Sequence, residues 1–82
     1  MIYKILCARD KLVGFGAPML EANLEVAKRS FASAMAHQDS AIVGDIDLYC
    51  IGDFDSDSGH LEPCVPTFIA SGSDFLKEAS DA

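Results

Sequence analysis

Ile46-Asp47-Leu48-Tyr49-Cys50-Ile51-Gly52-Asp53-Phe54 is the clearest strand in the chain. Side chains of a strand alternate between its two faces, so Leu48, Cys50 and Phe54 share one side. Asp47, Tyr49, Ile51, Asp53 and Asp55 share the other. Tyr49 and Ile51 make that second face half apolar, which predicts a strand lying centrally in a sheet or under a partner chain. Ser56-Asp57-Ser58-Gly59 follows as a tight-turn signature, with Gly59 free to take positive φ. A hairpin partner is therefore expected from His60, stopping near Pro63. Pro66 is expected to break the chain again before a last apolar run, Thr67-Phe68-Ile69-Ala70.

Upstream, Ile2 to Ala8 is short, apolar and β-prone, a second strand buried on parts of both faces. Arg9-Asp10-Lys11 reads as a polar turn and Gly14-Phe15-Gly16 as a loop or distorted strand. Pro18 to Ala22 reads as an edge strand, since proline has no N–H for a ladder. Asn23 suits the N-cap of a helix starting at Leu24, with Leu24, Ala27, Phe31, Ala34 and Met35 on one side. Glu25 can pair with Lys28 and Arg29 on the other side. The helix is expected to reach about His37, followed by a loop at Gln38-Asp39-Ser40. Gly72-Ser73-Asp74 either ends the ordered chain or caps a helical turn at Phe75-Leu76-Lys77, with fraying after Glu78. The whole is one α+β domain: a small antiparallel sheet with one helix against it, in β(β)αββ order.

Eighty-two residues, half of them hydrophobic, are enough for one small core and too apolar for a disordered chain. A core of this size supplies modest stability, so homo-oligomerisation is expected. The net charge of −7 is unevenly spread. Residues 1–36 hold five cations against three carboxylates, whereas residues 37–82 hold one lysine against ten carboxylates. That polarity suits a basic partner surface or head-to-tail contacts between copies, and it disfavours a dedicated nucleic-acid binder. Cys7, Cys50 and Cys64 are odd in number and widely spaced, neither a disulfide framework nor a zinc site, and each is expected to pack as a small buried hydrophobe. The N-terminal apolar run is too short for a signal peptide and no stretch is long enough to span a membrane, which leads to a cytoplasmic expectation.

Asp53-Phe54-Asp55-Ser56-Asp57-Ser58-Gly59 resembles the opening of a calcium loop, but the glycine comes one position late and Cys64 stands where the bidentate Glu belongs. Asp53, Asp55 and Asp57 are therefore read first as turn and strand-end residues, with calcium as the lesser alternative and no cofactor expected. His37 and His60 lack a partner at catalytic spacing, and no nucleophile elbow, Cys–His signature or phosphate loop is present. The expectation is a protein that is not an enzyme and acts by binding.

The run Asp47-Leu48-Tyr49-Cys50-Ile51-Gly52-Asp53-Phe54-Asp55, with Gly59 and Pro63 after it, resembles the D-x-L-Y-x-I-G-x-F-D…G…P stretch of the small non-structural proteins of gokushoviruses. These are tailless single-stranded-DNA phages of the microvirus type. Ala8 to Lys11, Pro18, Asn23, Arg29-Ser30-Phe31, Pro66 and Phe68-Ile69 extend the likeness over nearly the whole chain. The acidic charge and the short stretch between helix and central strand depart from it. The resemblance implies a phage protein made in the cytoplasm of the infected bacterium, absent from the virion and engaged in viral DNA replication or packaging. It carries no catalytic residues to transfer.

Two surfaces follow as candidates. An acidic face of Asp47, Tyr49, Ile51, Asp53, Asp55 and Asp57 would meet phage or host replication or packaging proteins, or imitate DNA toward a host factor. Alternatively Lys4, Arg9, Lys11, Lys28 and Arg29, with Tyr3, Phe15 and Tyr49, would hold single-stranded DNA directly, provided the first strand and the helix bring those cations together.

Overall fold

The computed structural model describes residues 1–75. The elements run β1 (Ile2–Asp10), β2 (Gly14–Phe15), β3 (Met19–Glu21), α1 (Leu24–Ala36), α2 (Ser40–Val43), β4 (Ile46–Asp55) and β5 (Leu61–Ser71). The sheet is antiparallel in the order β2-β1-β4-β5, and β3 also pairs with β1. β2 and β3 thus share one edge, each paired with a different half of β1. A single main helix packs on the sheet, which is the expected α+β class.

The local chemistry explains most boundaries. Asp10 closes the turn after β1 by accepting from the Leu12 N–H at 2.8 Å, and β1 runs two residues beyond the expected Ala8. Asn23 caps α1 by accepting from Val26 N–H at 2.9 Å. Ala27, Phe31 and Met35, spaced by four, form its buried stripe, and the helix ends at Ala36 with His37 as C-cap. Lys28 reaches Glu25 at 3.7 Å. The expected loop at Gln38-Asp39-Ser40 leads into a short helix α2 that the sequence reading did not include, whose N-cap Asp39 accepts from Ala41 N–H at 2.9 Å.

Leu6, Ala27, Phe31, Met35, Val43, Leu48 and Cys50 form the core between α1 and the sheet. Ile46, Ile69, Ala70 and Phe75 pack against its rim, with the Phe31 and Phe75 rings edge to face at 5.8 Å. Beside this core, a groove of about 220 Å³ opens between α1 and β3, lined by Met19, Ala34 and Met35 among others. Cys7 and Cys50 are buried as expected, but Cys64 is exposed, because it lies in the part of the edge strand β5 that precedes the core-packed Ile69 and Ala70.

The last strand corrects the sequence expectation. β5 does not stop at Pro63 or break at Pro66; it runs from Leu61 to Ser71. Both prolines are tolerated because β5 lies at the sheet edge. Its register moves from Cys50↔Thr67 to Gly52↔Pro63, leaving Cys64, Val65 and Pro66 as an irregularity between them. Gly72 then follows β5 closely beneath α2: a Cβ there would collide with the Val43 carbonyl oxygen and lie 2.8 Å from that of Ile46. A helical turn starts at 73–75, and the expectations for Leu76, Lys77 and the residues after Glu78 lie outside the described residues.

Candidate contact surfaces

A register shift in β4 decides where the candidate residues point. Leu6 pairs with Cys50, but Ile5 pairs with Gly52, so Ile51 is an extra residue on β4. Directly opposed residues in an antiparallel pair project to the same side. Before the shift, Asp47 and Tyr49 sit opposite Arg9 and Cys7, on the side away from α1. After it, Asp53 and Asp55 sit opposite Lys4 and Ile2, on the side that carries Leu6 and the helix. The expected single acidic face is therefore two. Strict alternation along the sequence carried Asp53 and Asp55 to the wrong side because it counted through the bulge.

The side away from α1 is an open face. Arg9 lies over the Phe15 ring at 5.8 Å; Phe15 meets Tyr49 edge to face at 5.4 Å; Tyr49 meets Phe68 likewise at 6.0 Å. The row crosses β1, β2, β4 and β5, and Phe15 and Phe68 remain 48% and 54% exposed. Cys7 lies under it, only 3% exposed, and burial pushes its thiol pKa up. Tyr3, Ile5, Leu20 and Phe54 occupy further positions on this side by register. Asp47 also lies here, with one carboxylate oxygen buried and without a hydrogen-bond partner among the described residues. Arg9, opposite it in register, makes no ion pair among the described residues.

The other candidate lies at the β4–β5 hairpin end. α1 spans about 20 Å at 1.5 Å per residue, whereas β4 spans about 33 Å. The buried core reaches along β4 no further than Cys50, so the hairpin end projects past it in a molecule measuring 45 × 24 × 16 Å. Asp53 binds Lys4 at 3.0 Å and faces Glu62 across β5. That hydrogen bond, with the charge of Asp53, holds the Lys4 pKa above its ordinary value. Asp55 accepts from Asp57 N–H at 2.8 Å, which lowers the Asp55 pKa, and its carbonyl accepts from Gly59 N–H at 2.7 Å. Asp57 contacts the Met1 amine at 3.1 Å, and His60 contacts Glu62 at 3.0 Å. Asp53, Asp55 and Asp57 thus hold different partners, and among the described residues no three His, Cys, Asp or Glu side chains are grouped to hold a metal ion.

The five cations are not brought together. Lys4 is tied to Asp53 near the hairpin end, Arg9 lies on the open face and Lys11 is in the β1–β2 turn. Lys28 and Arg29 are on the exposed side of α1, across the sheet from the aromatic row. Sequence reasoning included Tyr3, Phe15 and Tyr49 but missed Phe68, because the expected break at Pro66 separated it from Tyr49. The pairing Tyr49↔Phe68 depends on the β5 irregularity, for which the local sequence offers only two prolines. His37 bonds the Ser33 carbonyl through Nδ1 at 2.8 Å, which places it in the helix C-cap. Among the described residues no helix is long and apolar enough to cross a membrane.

Fold and surfaces together define a small sheet-and-helix protein with one helix-covered face, one aromatic open face and an acidic hairpin end. A family model described as phage ORF5 protein matches residues 3–75, and the chain belongs to that phage family. No curated protein and no solved structure matches it.

Proposed function

We propose that this phage accessory protein is of the gokushovirus type and assists replication or packaging of viral single-stranded DNA through protein–protein contacts, without catalysis. It works in the cytoplasm of the infected bacterium, outside the virion, on phage or host proteins that carry out those steps. The observation that supports this reading is the acidic hairpin end. Asp53, Asp55, Asp57 and Glu62 lie on a hairpin that projects beyond the core, where a basic surface can reach them. Electrostatic complementarity of this kind mainly sets partner choice and association rate. The test is cross-linked capture from infected cells with the native chain and with Asp53→Asn/Asp55→Asn/Asp57→Asn. A replication or packaging protein recovered by the native chain should be lost with the triple variant; equal recovery rejects the surface.

A second reading has its own support in the aromatic row. Bases of single-stranded nucleic acid stack on exposed rings beside an arginine, and Arg9, Phe15, Tyr49 and Phe68 supply that arrangement. Fluorescence anisotropy of a labelled oligothymidine decides it. Binding that weakens steeply with added salt and disappears in Phe68→Ala supports direct DNA contact, and a flat titration at low salt excludes it.

A further inference from the structure

We infer that the open sheet face is a homodimer interface, in which a second copy packs its own open face against the aromatic row. The inference is independent of the acidic hairpin end, which such a dimer leaves accessible at each of its two subunits.

The first ground is the composition of the face. A sheet with one solvated side carries polar residues at its outward positions. Here those positions hold Tyr3, Ile5, Cys7, Phe15, Tyr49 and Phe68, so both sides of the sheet are apolar while α1 covers only one. Paired sheets in a sandwich meet through faces of this composition.

The second ground is charge. In a chain of net charge −7, the row itself carries one cation, Arg9, and its register partner Asp47 supplies one carboxylate. The face is locally neutral, which fits an identical face better than a chain of phosphates. Arg9 makes no ion pair among the described residues, and Asp47 is half-buried, with one oxygen enclosed by its own chain. A twofold axis through the face can set Arg9 of one copy against the outer side of the Asp47 carboxylate of the other, and the reverse, forming the pair twice. An isologous contact requires this kind of self-complementarity.

The third ground is area. Three long strands at about 4.8 Å spacing, along the roughly 33 Å of β4, with the short β2 and β3 on the β1 edge, give a face of about 550 Å² per copy. Two such faces bury on the order of 1,100 Å², just above the roughly 1,000 Å² that a specific interface should clear.

Sedimentation equilibrium of the full chain tests the inference, with Phe68→Glu and Arg9→Asp as variants and Arg9→Asp/Asp47→Arg as the charge swap. Phe68 is half exposed on an edge strand, so its substitution leaves the monomer folded by circular dichroism. The expected result is a dimer for the native chain, weakened at least about thirtyfold by Phe68→Glu, as for an interface anchor. Arg9→Asp should weaken it, and the charge swap should recover most of that loss. A native chain that stays monomeric at about 100 µM overturns the inference. So does a dimer that Phe68→Glu leaves unchanged, which would place the contact elsewhere.

Discussion

The two faces of the sheet begin from similar chemistry and end differently. On one side Leu6, Leu48 and Cys50 present aliphatic or small side chains, and the Ala27-Phe31-Met35 stripe of α1 closes over them until Leu6 is fully buried. On the other, Tyr49, Phe15 and Phe68 stand edge to face, with Arg9 and Asp47 at one end, and no helix among the described residues covers them. Aromatic side chains dominate interface as well as core energetics, so a row of half-exposed rings is competent to bury against a partner. Apolar content alone therefore does not say which face becomes core; the side of the sheet on which α1 lies after its Asn23 cap does.

The largest expected effect tests that division directly. Leu48→Ala removes a buried side chain from the covered face and should cost about 2–5 kcal/mol, a large part of what a domain this small possesses. Phe68→Ala removes a larger side chain from the open face, but at protein concentrations low enough to keep the chain monomeric it should cost less than about 1 kcal/mol. Urea denaturation of both variants, read by circular dichroism, measures the gap. Equal losses would mean that the open face is part of the monomer's own core, and the distinction between the faces would fall.

Much of this arrangement was legible in the sequence. The class, the helix with its Asn23 cap, the central strand and the turn at Gly59 each have a local cause: a capping side chain, a period of 3.6 or 2, a glycine with φ of 77°. Other features have causes that are not local. α2 is four residues long, too short to show a period, and only Asp39 marks it. The continuation of β5 through Pro63 and Pro66 depends on its place at the sheet edge, which topology sets and a linear reading does not supply. The candidate sites were legible in their residues but not in their grouping. Asp47 and Tyr49 part from Asp53 and Asp55 because one extra residue, Ile51, reverses the alternation. Gly52 was the available signal, since a glycine within a strand marks a bulge or a close backbone approach. The cations failed to converge for a related reason: α1 lies on the side of the sheet opposite Arg9.

A smaller effect, at Gly52, sharpens the comparison, because this is where the two faces exchange. Its φ is 158°, and a Cβ added there would lie 2.5 Å from the Glu62 carbonyl oxygen and 3.1 Å from the Pro63 Cα. Both obstacles are backbone, so β5 must shift for any side chain to fit. Gly52→Ala should therefore destabilise the chain by more than about 1 kcal/mol despite the lower entropy of its unfolded state. The loss should be local in origin. Amide exchange should quicken at Asp53, Phe54 and Leu61, whose pairing lies beyond the bulge, and stay slow at Leu6 and Leu48 under α1. That pattern would show that the hairpin end is a less stable unit, hung from the core by the bulge. Uniformly faster exchange would instead join the two regions into one cooperative sheet, and the exchange of faces at Ile51 would then be a geometric feature with no energetic boundary behind it.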